Sequence, residues 1–403
     1  MPKTSGGEGS ARLSEAGQHA GRGAHRLKDF WARVTEGLEI QELWSQIRAD
    51  ARASYQFYAK DIDQSEAKGE PRLKRGLRIG RALFWAMLMK LTPARRVLLL
   101  IAIALLVFPG GEVQYGNEVV FRSDTSPLHI VGGLLLFVLL ALELADRVTM
   151  KRDLEIARDI QRWLMPEVPP QIPGVDIAFA TRAANTVAGD YYDAFMRPAA
   201  DGAGAEPSAE PAPHLLMAIA DVAGKSVPAA LLMATFQASL RTLAMSPSSL
   251  AVLARGLNDY ACGQNIGGTR FTTAFLAELD PATHALTYVR AGHNLPVLAR
   301  ASGAIERLET GGLPFGIRPG TVYEAGTGTL APGDLLVMFT DGLVEAENES
   351  GEEYGEARML QTLAERPSAG AREMLKALMA SVDGFVGPAR QHDDITCMLV
   401  RTL

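Results

Sequence analysis

The sequence predicts an α+β domain of about 235 residues at the C-terminal end, carried on a two-helix transmembrane hairpin and a helical linker. Three observations lead there. Two apolar runs, Val97–Phe108 and Pro127–Ala145, stand apart from the rest of the chain. A stretch free of Gly and Pro follows the second run and ends in a cluster of prolines. Beyond Pro173 the pattern changes to short β-like runs separated by turns and a few helical stretches.

At 403 residues the chain is too long for one ordinary core, so two or three units are expected. Its 47% hydrophobic and 21% charged residues supply a core, and a net charge of −6 does not suggest a nucleic-acid binder. Charge is uneven: residues 1–96 hold 18 Lys+Arg against 11 Asp+Glu, so the front is basic and the remainder acidic. Two cysteines, Cys262 and Cys397, form neither a CxxC pair nor a disulfide framework. Residues 1–29 lack an apolar run, which argues against a cleavable signal peptide and for a disordered start.

Residues 30–93 read as a cytoplasmic helical arm, with Phe30, Trp31, Val34, Leu38, Leu43, Trp44 and Ile47 near helical spacing. The hairpin is assigned to residues 94–146. Its second run is long enough to cross a bilayer; the first is short and needs extension through Pro109-Gly110-Gly111 or snorkelling of Arg95 and Arg96. Basic residues precede the pair (Arg72, Lys74, Arg75, Arg78, Arg81, Lys90) and follow it (Arg147, Lys151, Arg152), while the connection carries Glu112, Glu118, Arg122 and Asp124. By the positive-inside rule both termini are then cytoplasmic at the inner membrane.

Residues 147–168 form the expected linker. Met150, Leu154, Ala157, Gln161 and Leu164 are spaced as a short heptad seam, which predicts a homodimer through this helix. The competing expectation is an amphipathic helix packed on its own domain. Pro166, Pro169, Pro170 and Pro173 end the helix.

In residues 169–403, β runs are expected at Val175–Thr181, Asp190–Phe195, Leu215–Ala220, Thr272–Leu279, Ala285–Val289, Leu295–Ala299, Leu335–Thr340 and Ile395–Arg401. Short turns such as Asp280–His284 indicate antiparallel pairing. Helices are expected at Pro228–Ala244, Leu250–Cys262, Glu356–Glu365 and Ala371–Phe385, and Pro198–Pro213 reads as a floppy insertion.

Carboxylates fall at the ends of these runs: Asp221 after one, Asp341 after another, Asp393-Asp394 just before a third. Antiparallel neighbours share an edge, so these acids can converge. Packed together they repel unless cations neutralise them. An all-oxygen set favours Mg²⁺ or Mn²⁺ over zinc, and two such ions acidify a bridging water for in-line attack on phosphorus.

Five ordered blocks make the pattern specific: Ala157-Arg-Asp-Ile-Gln161 with Leu164-Met-Pro166; Val187-Ala-Gly-Asp-Tyr-Tyr-Asp193; Asp221 through Ala230; Ala291-Gly-His-Asn294; and Thr340-Asp-Gly342 with Asp393-Asp-Ile-Thr396. From about Leu154 onward the chain resembles the SpoIIE/RsbU-like serine/threonine phosphatases, the bacterial branch of the metal-dependent PPM (protein phosphatase 2C-like) superfamily. The resemblance implies an antiparallel β-sandwich flanked by helices. It also implies two Mn²⁺ or Mg²⁺ ions held by Asp221, the Val222 carbonyl, Asp341 and Asp393, with Asp394 the adjacent choice and Asp190 beside the metals. Asp193 and the tyrosines are expected to be structural. The resemblance further implies a phosphorylated partner, with a STAS-type anti-sigma-factor antagonist favoured as substrate. Ala188 and Ser226 stand where the family usually has glycine, and Ala183 where proline is frequent.

Other chemistries fail on spacing. The P-loop glycine required five residues before Gly224 is Ile219, and neither cysteine has an arginine six residues on. His293 reads as a hydrogen-bonded turn histidine, with leaving-group protonation as its alternative. A non-catalytic membrane scaffold that binds a phosphorylated partner is the competing function.

Overall fold

The computed structural model describes residues 81, 84–85, 88–107, 113–115, 118–121, 127–199, 213–264 and 270–403. The expected disordered start, most of the helical arm and most of the Pro198–Pro213 insertion lie outside the described residues. The chain divides into two units, Met1–Leu144 and Ala145–Leu403.

In the first unit α1 (Pro93–Val107) and the N-terminal part of α2 (Pro127–Leu164) are joined through a small antiparallel ribbon, β1 (Val113–Tyr115) and β2 (Glu118–Phe121). The apolar runs become helices because they are rich in Leu and Ala and have no internal proline. The two helices touch: a Cβ on Gly132 would sit 3.0 Å from the Ala102 carbonyl oxygen, so glycine permits the close approach. Arg95 Nη1 also pairs with Glu143 Oε2 at 3.2 Å. Among the described residues only α2, with 38 residues, is long and apolar enough to cross a membrane; α1 has 15.

α2 runs unbroken past the apolar stretch to Leu164, where Pro166 stops it, so the second apolar run and the expected linker share one helix. The expected seam meets a different environment from the one its spacing suggested. Gln161 is buried at 5% exposure against its own domain, Leu154, Ala157 and Leu164 are half-buried, and Met150 is exposed. Heptad spacing places residues on one helix face without saying what covers it.

The second unit is built on two sheets. One runs in the order β10 (Gly311–Gly312), β7 (Ala285–Ala291), β6 (Thr272–Leu279), β5 (Pro213–Val222), β4 (Tyr191–Pro198), with β11 (Gly326–Thr329) also on β7. The other runs β3 (Val175–Arg182), β13 (Ile395–Thr402), β12 (Leu335–Phe339), β8 (Val297–Ala299), β9 (Ile305–Arg307). Pairing is antiparallel except for β10 on β7.

Strand alternation makes a layered sandwich. Leu215, Met217 and Ile219 of β5 meet Leu336 and Met338 of β12 and Met398 and Val400 of β13 between the sheets. The opposite face of β5 packs under α3 (Val227–Leu243) and α4 (Leu250–Gln264), through Leu216, Ala218, Met233, Phe236 and Leu257. On the other side Leu335, Val337, Phe339, Cys397 and Leu399 pack under α6 (Gly355–Glu365) and α7 (Ala371–Val386). A one-turn helix, α5 (Asp341–Val344), follows β12. Central strands are covered on both faces, which is why they read as continuous apolar runs such as Leu-Leu-Met-Ala-Ile-Ala rather than as alternation. Fully burying one of these leucines contributes about 2 kcal/mol.

Candidate active site

The acids gather where the two sheets share an edge. Asp221 lies near the end of β5, Asp190 directly before β4, Asp341 just after β12 and Asp393-Asp394 just before β13. Tyr191 is registered with Ala220, and Phe339 with Cys397, which brings these strand ends level within each sheet.

Asp190 is 2% exposed, and Thr340 Oγ1 donates to its Oδ2 at 2.8 Å; Thr340 in turn accepts the Thr396 N–H at 3.0 Å. Asp394 accepts two backbone N–H groups, from Ala184 on Oδ1 at 2.7 Å and Gly189 on Oδ2 at 2.6 Å. It therefore braces the 184–189 loop. Asp393 lies on the open side, where Lys225 Nζ donates to its Oδ2 at 2.9 Å and to the His392 carbonyl at 2.8 Å. Gly189 packs against the strand end: a Cβ there would be 3.2 Å from the Val222 carbonyl oxygen and 3.8 Å from Asp221 Oδ1. Gly342 is tighter still, since its Cβ would fall 2.1 Å from the Asp394 carbonyl oxygen.

Several of these acids feel their neighbours. Burial pushes the Asp221 carboxyl up to about 7, reinforced by Asp341, Asp393 and Asp394 and opposed by Lys225. Asp341 is raised by burial and by Asp393, and Asp190 is raised well above the carboxylate range by burial and by Asp221. Glu345, on the same rim, is raised by burial, Asp341 and Glu353. Concentrated negative charge with a lysine as its counter-ion has the donor chemistry for hard divalent cations, so the residues fit the expected Mn²⁺ or Mg²⁺. Among the described residues no group of three or more His, Cys, Asp or Glu side chains is already arranged to hold an ion.

Asp193 points into the α3 side. It is fully buried, takes the Tyr191 hydroxyl at 2.6 Å and binds Arg241 through two bonds of 2.6 and 2.7 Å. His293 is fully enclosed, with Nδ1 2.9 Å from Thr273 Oγ1, and burial lowers it to about 4. A cleft of about 110 Å³ beside the acids is lined by Arg182, Glu345, Glu353, His392 and Asp393. A larger apolar cleft of about 360 Å³, lined by Phe236, Leu257, Tyr260 and Phe315, includes none of the acids.

The sequence places Lys225 and Thr340 inside the quoted blocks but assigns neither a role in the site. Their signals were present: a cation four residues after Asp221 at the entrance to a helix, and a hydroxyl between an apolar run and Asp341.

The chain is similar to known proteins in sequence and in fold. The family Stage II sporulation protein E (SpoIIE) matches residues 211–403. Phosphoserine phosphatase RsbU of Bacillus subtilis is 30% identical over 254 residues, covering 62% of this chain and 70% of RsbU. Protein IcfG of Synechocystis sp. is 25% identical over 323 residues, 72% of this chain and 48% of IcfG, so the chain spans about half the length of that relative. The solved SiaA-PP2C domain of Pseudomonas aeruginosa superposes with a TM-score of 0.54 at 20% identity, covering 64% of this chain and 99% of the domain.

Proposed function

The chain belongs to the SpoIIE/RsbU-like branch of the PPM serine/threonine phosphatases, and from that premise we propose that it hydrolyses phosphoserine or phosphothreonine on a partner protein. The observation that carries this reading is the acidic rim itself, where burial and the neighbouring acids raise the proton affinity of Asp221 and Asp341 across the edge of two sheets. In this proposal Asp221, Asp341, Asp393 and the Val222 carbonyl hold two Mn²⁺ or Mg²⁺ ions. When bound, such ions supply an acidified water and neutralise charge on the transferring phosphoryl group. Asp190, fixed by Thr340, faces the cluster and orients water there, and Asp394 keeps the 184–189 loop in place. Asp394 thus joins the site through the loop it braces.

The chain is further proposed to be anchored at the inner membrane through α2, with α1 as a second, shorter span and both termini cytoplasmic. The length and hydropathy of α2 and the flanking arginines support this. A homodimer through the linker helix is supported by the exposed Ile156, Ile160 and Trp163. The proposed substrate is a phosphorylated STAS-type anti-sigma-factor antagonist, which would change partners as it loses the phosphate charge.

Metal-dependent phosphate release from a phosphoserine protein tests the activity; full activity after replacing both Asp221 and Asp341 with Ala overturns it. The seating of Lys225 on Asp393 favours one rival, a scaffold that binds phosphoprotein without cleaving it. Calorimetry with Mn²⁺ separates the two, since a scaffold has no need to bind the ion.

A further inference from the structure

Resting on the phosphatase reading, we propose that Gln161, near the C-terminal end of α2, is a positioning residue that sets the geometry of the metal-binding acids through the peptide of Ala188.

Its neighbours Arg158, Asp159 and Arg162 are exposed, as polar residues on a domain-packed helix should be, yet Gln161 is 5% exposed. A buried carboxamide needs partners for both its ends. Both are supplied by one residue: Gln161 Nε2 donates to the Ala188 carbonyl oxygen at 2.7 Å, and the Ala188 N–H donates to Gln161 Oε1 at 3.0 Å. Two bonds between amide groups fix both the position and the tilt of that peptide. Ala188 precedes β4 and so has no strand to pair with; the helix takes the part of a neighbouring strand.

The next two residues carry the effect inward. Gly189 N–H holds Asp394 Oδ2 at 2.6 Å, and its Cα side lies against the Val222 carbonyl and Asp221. Asp190 takes the hydroxyl of Thr340, the residue before Asp341. Three consecutive residues thus link the helix, the Val222 carbonyl and the Asp341 turn. A leucine or methionine at 161 would pack against the domain equally well, so packing alone gives no reason for an amide there. A change in the rotation or height of α2 reaches the acids through this pair of bonds.

The test uses the full chain in detergent, comparing the parent with Gln161→Met, which keeps the volume, and Gln161→Glu, which keeps only the acceptor. Mn²⁺ affinity is read by calorimetry, folding by melting temperature, and turnover with p-nitrophenyl phosphate at saturating Mn²⁺. Gln161→Met should weaken Mn²⁺ about tenfold, which is about 1.4 kcal/mol. Its melting temperature should stay close to the parent's, and kcat at saturating Mn²⁺ should change by less than the affinity does. Gln161→Glu should weaken Mn²⁺ by about threefold, as expected when one of two bonds is lost. Unchanged Mn²⁺ affinity in a folded Gln161→Met chain overturns the proposal, as does affinity falling only in step with melting temperature. If Gln161→Met does not fold, Gln161→Glu decides, and unchanged Mn²⁺ affinity there overturns it. A parent that binds Mn²⁺ but cleaves no phosphate ester refutes the phosphatase reading and leaves the Mn²⁺ comparison to judge Gln161 by itself.

Discussion

Replacing Asp221 with Asn should stabilise the metal-free protein at pH 8 while abolishing its affinity for Mn²⁺. An unfolded aspartate ionises near 3.8, whereas the folded site pushes Asp221 up to about 7, through burial first and then Asp341 and Asp393. The folded chain therefore holds this proton more tightly than the unfolded one. Stability from that proton is fully present below pH 4 and is lost progressively as the pH rises to 7. At about 1.4 kcal/mol per pH unit, a separation of about three units puts the cost of ionising Asp221 at about 4 kcal/mol above pH 7. Partial exposure, and the relief the remaining acids share, reduce what the substitution recovers to about 2 kcal/mol. For a domain of this size that is about 4–8 °C. The assay is thermal unfolding of the full chain in EDTA at pH 5 and pH 8, with Mn²⁺ calorimetry alongside. The Asp221→Asn chain should melt higher than the parent at pH 8, by only about 40% of that margin at pH 5, and should give no Mn²⁺ heat. A gain of equal size at both pH values would show that ionisation is not its source, and a lower melting temperature at pH 8 would refute the reasoning.

Other outcomes follow from the same geometry. Lys225→Met removes the cation seated on Asp393; because that pair is about half exposed, calorimetry should show Mn²⁺ binding tightened about two- to fivefold. Ser226 has φ 67° and ψ −151°, a glycine-like conformation at the entrance to α3, so Ser226→Gly should raise unfolding stability in urea by about 1 kcal/mol. His293, buried and held to about 4, stays neutral across the working range. His293→Gln should lower the melting temperature yet leave the pH–rate profile and the dependence on leaving-group basicity unchanged; a steeper leaving-group dependence would mark His293 as the general acid.

The strands that frame the site were legible because both faces are covered. Leu215–Ala220, Leu335–Thr340 and Ile395–Arg401 are read from apolar runs alone and observed as β5, β12 and β13 within a few residues. Asp221 and Asp341 were legible because an acid at the end of such a run breaks the pattern. Several short elements were not. Ile305–Arg307, Gly311–Gly312 and Gly326–Thr329 are two to four residues long and gain strand character from pairing with β8 and β7, which local composition does not encode. Gln161 was misread for a related reason: its spacing gave the face it occupies, and only the fold supplies Ala188 as its partner. Lys225 was hidden because its counter-ion, Asp393, is 168 residues away.

The acids come from both leaves of the sandwich: Asp221 hangs from the sheet under α3, Asp341 from the sheet under α7. On the proposed reading an ion gripped by both would be a rivet through the two leaves as well as a reagent, and it would tie catalytic competence to resistance against proteases. In metal-poor cells the same chain would then lose abundance along with activity, because ligand occupancy shifts the balance between closed and open forms that degradation draws on.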